Sequence, residues 1–138
     1  MPSVKVETTV ITYPQRLLAL ARKLIDDDEF AIAVVVAHIA CEIAAERSLS
    51  EAFVAKGIPY LEDAVTEFLN GYNLANDKIR KLYTALTGVE VEKTTFWPQF
   101  KESASRRNKI VHSTITVTKP EAEESYSAAK SLVAHLKK

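Results

Sequence analysis

Between Ala104 and Thr114 the chain reads ASRRNKIVHST: two adjacent arginines, an asparagine, a short apolar step and a histidine. Histidine takes or gives a proton near neutrality. Arginine stays charged and offers a planar fork of donors that fits phosphate oxygens. Asparagine orients an imidazole or donates to a third oxygen. Together these groups suffice to cleave RNA without a metal or cofactor. One histidine takes the proton of a 2′-hydroxyl, which attacks the adjacent phosphorus, while arginine stabilises the charge on the phosphorane. Arg107, Asn108 and His112 are the candidate catalytic residues.

Spacing limits how one chain can use them. Each helical residue turns by about 100°, so Asn108 and His112 fall within roughly 40° of each other. Arg107 lies roughly 140° from His112, and Arg106 is one position further back. A straight helix does not aim both arginines and the histidine at one target. A second copy packed across a two-fold axis gives another way to gather two histidines and two arginines in one cleft. Arg106 is expected either to steer a phosphate or to sit at the surface. Lys101 and Lys109 extend the basic stripe, and Lys78, Arg80 and Lys81 join it if their helix lies alongside.

His38 and Glu42 stand four apart in an otherwise apolar run, so they point the same way. A buried carboxylate needs a partner. Glu42 is expected to pair with Arg106 or Arg107, as support for His112 or as a purely structural pair. Two ligands do not make a metal site, and no metal is expected. His112 alone also fits a plain helix end, where a cation is favoured. Cys41 reads as a small core residue, Trp97 as a core aromatic or an RNA-stacking one, and His135 as a solvated end.

The elements that must position these groups are helices. The three Gly and five Pro leave long stretches of helical period between them. Pro14 opens a first helix with Leu17, Leu20, Ala21, Leu24 and Ile25 on one face. The acids Asp26 to Glu29 stop it and cap the next, from about Glu29 to Lys56 with a break near Ser48. That second helix is apolar on nearly all sides to Ala45 and belongs in the middle of a bundle. Pro59 opens a shorter helix, and Asn76 or Asp77 caps a fourth, closed by Gly88. A fifth runs from about Phe96 to Val111 and can fray at His112. Thr114 to Thr118 is β-branched and extended, and Pro120 starts the last helix. Residues 1–13 alternate weakly (Val4, Val6, Val10) and read as an extended arm. The sequence predicts one all-α domain over 1–138, an up-down bundle of five to six helices.

Arg107 to His112, RNKIVH, resembles the signature of the HEPN family, compact helical domains of toxin, abortive-infection and RNA-processing proteins. Arg106 to His112 matches with one more intervening residue, and AVVVAHIACEIAAERSL is similar to the family's apolar helix with an embedded polar pair. The likeness spans about Asp28 to Lys138. It implies a HEPN-like bundle, a homodimer with facing motifs, and a metal-independent endoribonuclease that leaves a 2′,3′-cyclic phosphate. Many members pair with a nucleotidyltransferase-type antitoxin. Some only bind a nucleotide, RNA or a partner protein, so the fold does not assign the function.

Composition narrows the setting. Lys+Arg and Asp+Glu both count 18, so any attraction for RNA must come from local clustering. The single Cys41 allows no internal disulfide and fits a reducing compartment. The N-terminus lacks the apolar stretch of a signal peptide, and the longest apolar run is broken by His38 and Glu42. A cytoplasmic protein that leaves membranes alone is expected.

Overall fold

The computed structural model describes residues 13–137. The arm expected over 1–13 therefore lies outside the described residues, except for Tyr13, which opens the first helix. The described chain is all-helical: α1 (Tyr13–Asp26), α2 (Phe30–Ala55), α3 (Glu62–Leu69), α4 (Asp77–Thr87), α5 (Trp97–His112) and α6 (Lys119–Leu136). One-turn 3-10 helices precede α3 (Pro59–Leu61) and follow α4 (Val91–Lys93). Thr114 to Thr118 has no helix and no strand partner.

Helix α2 holds the bundle together, packing against α1, α6 and α5 along its length and α4 near its far end. Small side chains make that possible. Ala33, Ala37, Ala40, Cys41, Ala44 and Ala45 are all buried and let three neighbours approach one axis. Large side chains from the other helices close round them, with Phe100, Ile79 and Leu132 fully buried. Each contributes about 2 kcal/mol by leaving water. The helix runs unbroken through Ser48. Leu49, Ala52 and Phe53 carry its buried face past that residue, so packing holds the helix where local propensity expected a break.

Helix ends follow local chemistry, with one revision. Asn76 caps α4 by accepting from the Lys78 and Ile79 amides, and Gly88 ends α4 at φ 75°, a left-handed conformation that glycine adopts freely. Between α1 and α2 the acids do not cap with their side chains. The turn is made by Asp28 at φ 61°, and Glu29 makes no capping hydrogen bond. Helix α6 starts on a capping box between Thr118 and Glu121. Arg22 of α1 donates from Nη1 to Glu123 Oε2 of α6 at 2.9 Å, and its guanidinium lies 5.3 Å from the Tyr126 ring.

One side of α2 stays uncovered. Cys41 faces α6, its Sγ 4.0 Å from the Ala129 carbonyl. Ile32 and Ile39 lie about half a turn away round the helix and are 52% and 38% exposed. Val36 and Ile43 continue this line at steps of four and three, both partly exposed. No described helix among these residues is long and apolar enough to cross a membrane.

Candidate functional site

The rotation of α5 is fixed by Arg106. This residue is buried, and its Nη1 donates to Ser125 Oγ at 2.7 Å and to the Glu121 carbonyl at 3.1 Å. Nη2 donates to Glu124 Oε1 at 3.2 Å, and Nε stands 3.8 Å from Glu121 Oε2. The expected surface or phosphate-steering role for Arg106 is thus revised: its fork is spent on α6. A charge this far from water needs such a set of acceptors, and the first turns of α6 supply them.

With Arg106 turned to α6, its neighbours must point elsewhere. Arg107 is rotated by about 100° and comes against α2. It is half-buried, its Nη1 donates to Asn108 Oδ1 at 3.0 Å, and its Nε is buried with no partner. Asn108 lies about 200° from Arg106 and is exposed on the side away from α6. His112 falls roughly 40° from Asn108, also exposed, as the last residue of α5. The helix extends through His112 where fraying was expected, because the Ser113 amide and hydroxyl both donate to the Lys109 carbonyl.

Across the α2–α5 seam sit His38 and Glu42. His38 is 2% exposed and its ring stacks parallel to Phe100, centroids 6.1 Å apart. Its Nε2 is 4.0 Å from Glu42 Oε1, beyond hydrogen-bond range, and has no other partner. Burial, and secondarily the Arg107 charge, pull the imidazole down to about 4. His38 is therefore neutral at physiological pH and cannot serve as a cation for RNA. Burial raises the Glu42 carboxyl, and Arg107 opposes that shift. The expected ion pair of Glu42 with Arg106 or Arg107 does not form among the described residues; Arg106 is spent on α6, and only the charge of Arg107 reaches the carboxyl.

The outer basic residues divide in two. Lys78, Lys81, Lys101 and Lys109 are exposed, and the charges of Lys101 and Lys81 both reach the Asp77 carboxylate at the start of α4. Arg80 is different. It donates from Nη2 to Asp77 at 2.7 Å and from Nε to Glu92 at 3.2 Å, and lies 5.2 Å from the Trp97 ring centroid. Its expected RNA contact is revised to a structural one, and Trp97 has this guanidinium against its ring. The Asp77–Arg80 spacing of three was a readable signal for it, whereas the Glu92 contact spans two elements. Cys41 is buried, and burial raises its thiol well above the usual range, so it is no nucleophile. Phe96 packs edge-on to His135, with ring centroids 5.7 Å apart.

Arg107, Asn108 and His112 share one stretch of α5 and do not line the grooves that α6 forms with α1, with α1 and α2, and with the start of α5. Both α2 and α5 pack on α6, and the exposed Ile32, Ile39 and Asn108 lie roughly opposite their α6-facing residues, with exposed His112 about 120° round from Arg106. Val111, 52% exposed, lies on the same helix beside His112. Among the described residues, no three His, Cys, Asp or Glu side chains gather closely enough to hold a metal ion. No family model, curated protein or solved structure matches the chain.

Proposed function

We propose that the chain is a metal-independent endoribonuclease that works as a homodimer, built like the HEPN domains its motif resembles. The observation that carries this reading is the division of labour along one turn of α5. Arg106 anchors the helix on α6, which leaves Asn108 and His112 on the solvent side, while α2 keeps an uncovered apolar strip. A second copy covering Ile32, Ile39 and Val111 would bury that strip and bring a second His112 to the same cleft.

In such a cleft one His112 imidazole accepts the 2′-hydroxyl proton as that oxygen attacks phosphorus. The partner subunit's His112, entering protonated, gives its proton to the departing 5′-oxygen. The products are a 2′,3′-cyclic phosphate and a 5′-hydroxyl, so no water, metal or redox partner enters the step. Arg107 neutralises the equatorial oxygens of the phosphorane, which its half-buried position strengthens. Glu42 and neutral His38 set where Arg107 points, and Lys101, Lys109, Lys78 and Lys81 hold the strand. In this reading the protein is the toxic or defence component of a prokaryotic system, acts in the cytoplasm and is restrained by a nucleotidyltransferase-type partner.

The experiment is a charge placed on the strip. Ile39→Glu is expected to give a folded monomer by light scattering that no longer cuts RNA, while the parent is a dimer that does. A parent that is monomeric and cuts RNA, or an Ile39→Glu monomer that cuts as fast, would overturn the dimeric site.

A further inference from the structure

A groove of about 460 Å³ runs between α1 and α6, a size that takes a small molecule. Its floor is Leu18 of α1 and Val133 of α6, both buried. Two small residues keep it open. Ala19 and Ala134 each stand one position, and so about 100°, round from a floor residue, and both are exposed. Larger side chains there would cover the floor. The groove reaches Tyr126 at one end, where the Arg22 guanidinium lies 5.3 Å from the ring and bonds Glu123 across the two helices.

Charge selects the ligand. Tyr126, Lys130, Val133 and Lys137 follow at steps of four, three and four, so they form one stripe along α6 facing the groove. The two lysines stand two turns apart, about 10 Å along the axis. No acid of α6 lies three or four residues from either one. Among the described residues neither forms an ion pair, whereas Arg22, Arg80, Lys93 and Arg106 all do. No described carboxylate lines the groove, and Glu123 beyond its end is neutralised by Arg22. We propose that this groove binds a fatty-acid-like ligand, its single alkyl chain over Leu18 and Val133 and its carboxylate between Lys130 and Lys137. A cationic amphiphile would meet two like charges, and a nucleic acid would leave the apolar floor unused. This goes beyond the ribonuclease reading and does not depend on it, since the lysines assigned to RNA belong to α4 and α5.

The probe is decanoate, titrated into the full chain and followed by amide NMR signals. Signals of Leu18, Ala19, Val133 and Ala134 are expected to move. Decanoate should bind up to about fifteenfold more tightly than octanoate, for its two further methylenes. Lys130→Glu, which reverses the charge, and Ala134→Trp, which fills the groove, should each lower affinity about tenfold. Both positions are exposed, so these variants keep the fold and cleave RNA as the parent does. Decyltrimethylammonium binding the groove equally well, octanoate matching decanoate, or unchanged affinity in both variants would overturn the proposal. So would signals moving on Ile32 and Ile39 instead, an RNA oligonucleotide or phosphatidylglycerol vesicles occupying the groove where decanoate does not, or no binding at all.

Discussion

Arg106 Nη1 donates to Ser125 Oγ at 2.7 Å, a buried contact that locks α5 onto α6. Everything proposed for the site follows from that lock, because it sets which way residues 107, 108 and 112 face. Arg106→Ala would strand Ser125 and two glutamates. It is expected to lower unfolding free energy by about 3 kcal/mol, measured by urea titration at neutral pH. Arg106→Lys keeps the charge without the fork and recovers only part of the loss. A variant as stable as the parent contradicts the anchoring role.

His38 makes stability depend on pH. Its folded imidazole sits at about 4, below the ordinary 6.5, so the unfolded chain binds its proton first. The stabilisation is fully present above about 6.5 and is lost as pH falls towards 4, by about 3 kcal/mol in all. Glu42 has its carboxyl raised and so contributes the opposite slope, which the comparison must cancel. The stability of the parent relative to His38→Gln, measured by urea unfolding from pH 7 to 4, is therefore expected to fall by up to about 3 kcal/mol as pH falls below 6.5. A constant difference across that range contradicts a buried, neutral His38.

The exposed lysines of α4 and α5 are expected to behave differently from Arg80. Lys81→Ala and Lys101→Ala should each weaken RNA binding and make its salt dependence shallower by about 1 in the log–log slope, leaving stability alone. Arg80→Ala should leave that slope unchanged and cost about 2 kcal/mol of stability, since Asp77, Glu92 and Trp97 lose their shared partner. Filter binding at several salt concentrations, beside thermal melts, separates the two. Arg80→Ala changing the slope like a lysine would return it to the RNA surface.

The capping box at the start of α6 includes Glu121, whose carbonyl accepts from Arg106 and whose carboxylate faces it. Thr118→Ala removes the acceptor of the Glu121 amide and is expected to cost about 1 kcal/mol. Because Glu121 also faces Arg106, Thr118→Ala and Arg106→Ala should be non-additive in a double-mutant cycle. Strict additivity contradicts the coupling.

The helices were legible because their signals are local. Pro14, Asn76 and Gly88 punctuate the chain where the helices begin and end, and the all-round apolarity of α2 marks it as central. The break expected at Ser48 does not occur because Leu49 is buried in the core shared with other helices, which no local pattern reveals. The same holds at the site. That Asn108 and His112 share a face follows from spacing alone, and both are exposed. That Arg106 turns away from them depends on Ser125, nineteen positions further along. Adjacent arginines look equivalent in a sequence, and only the packing partner tells the anchor from the free group.

Digestion of RNA by the purified chain in EDTA, with products read by mass spectrometry, tests the central claim most directly. The account predicts fragments ending in a 2′,3′-cyclic phosphate, with His112→Ala and Arg107→Ala each slower by at least about a hundredfold at unchanged fold. RNA bound but intact, cleavage abolished by EDTA, or His112→Ala cutting as fast as the parent would contradict it.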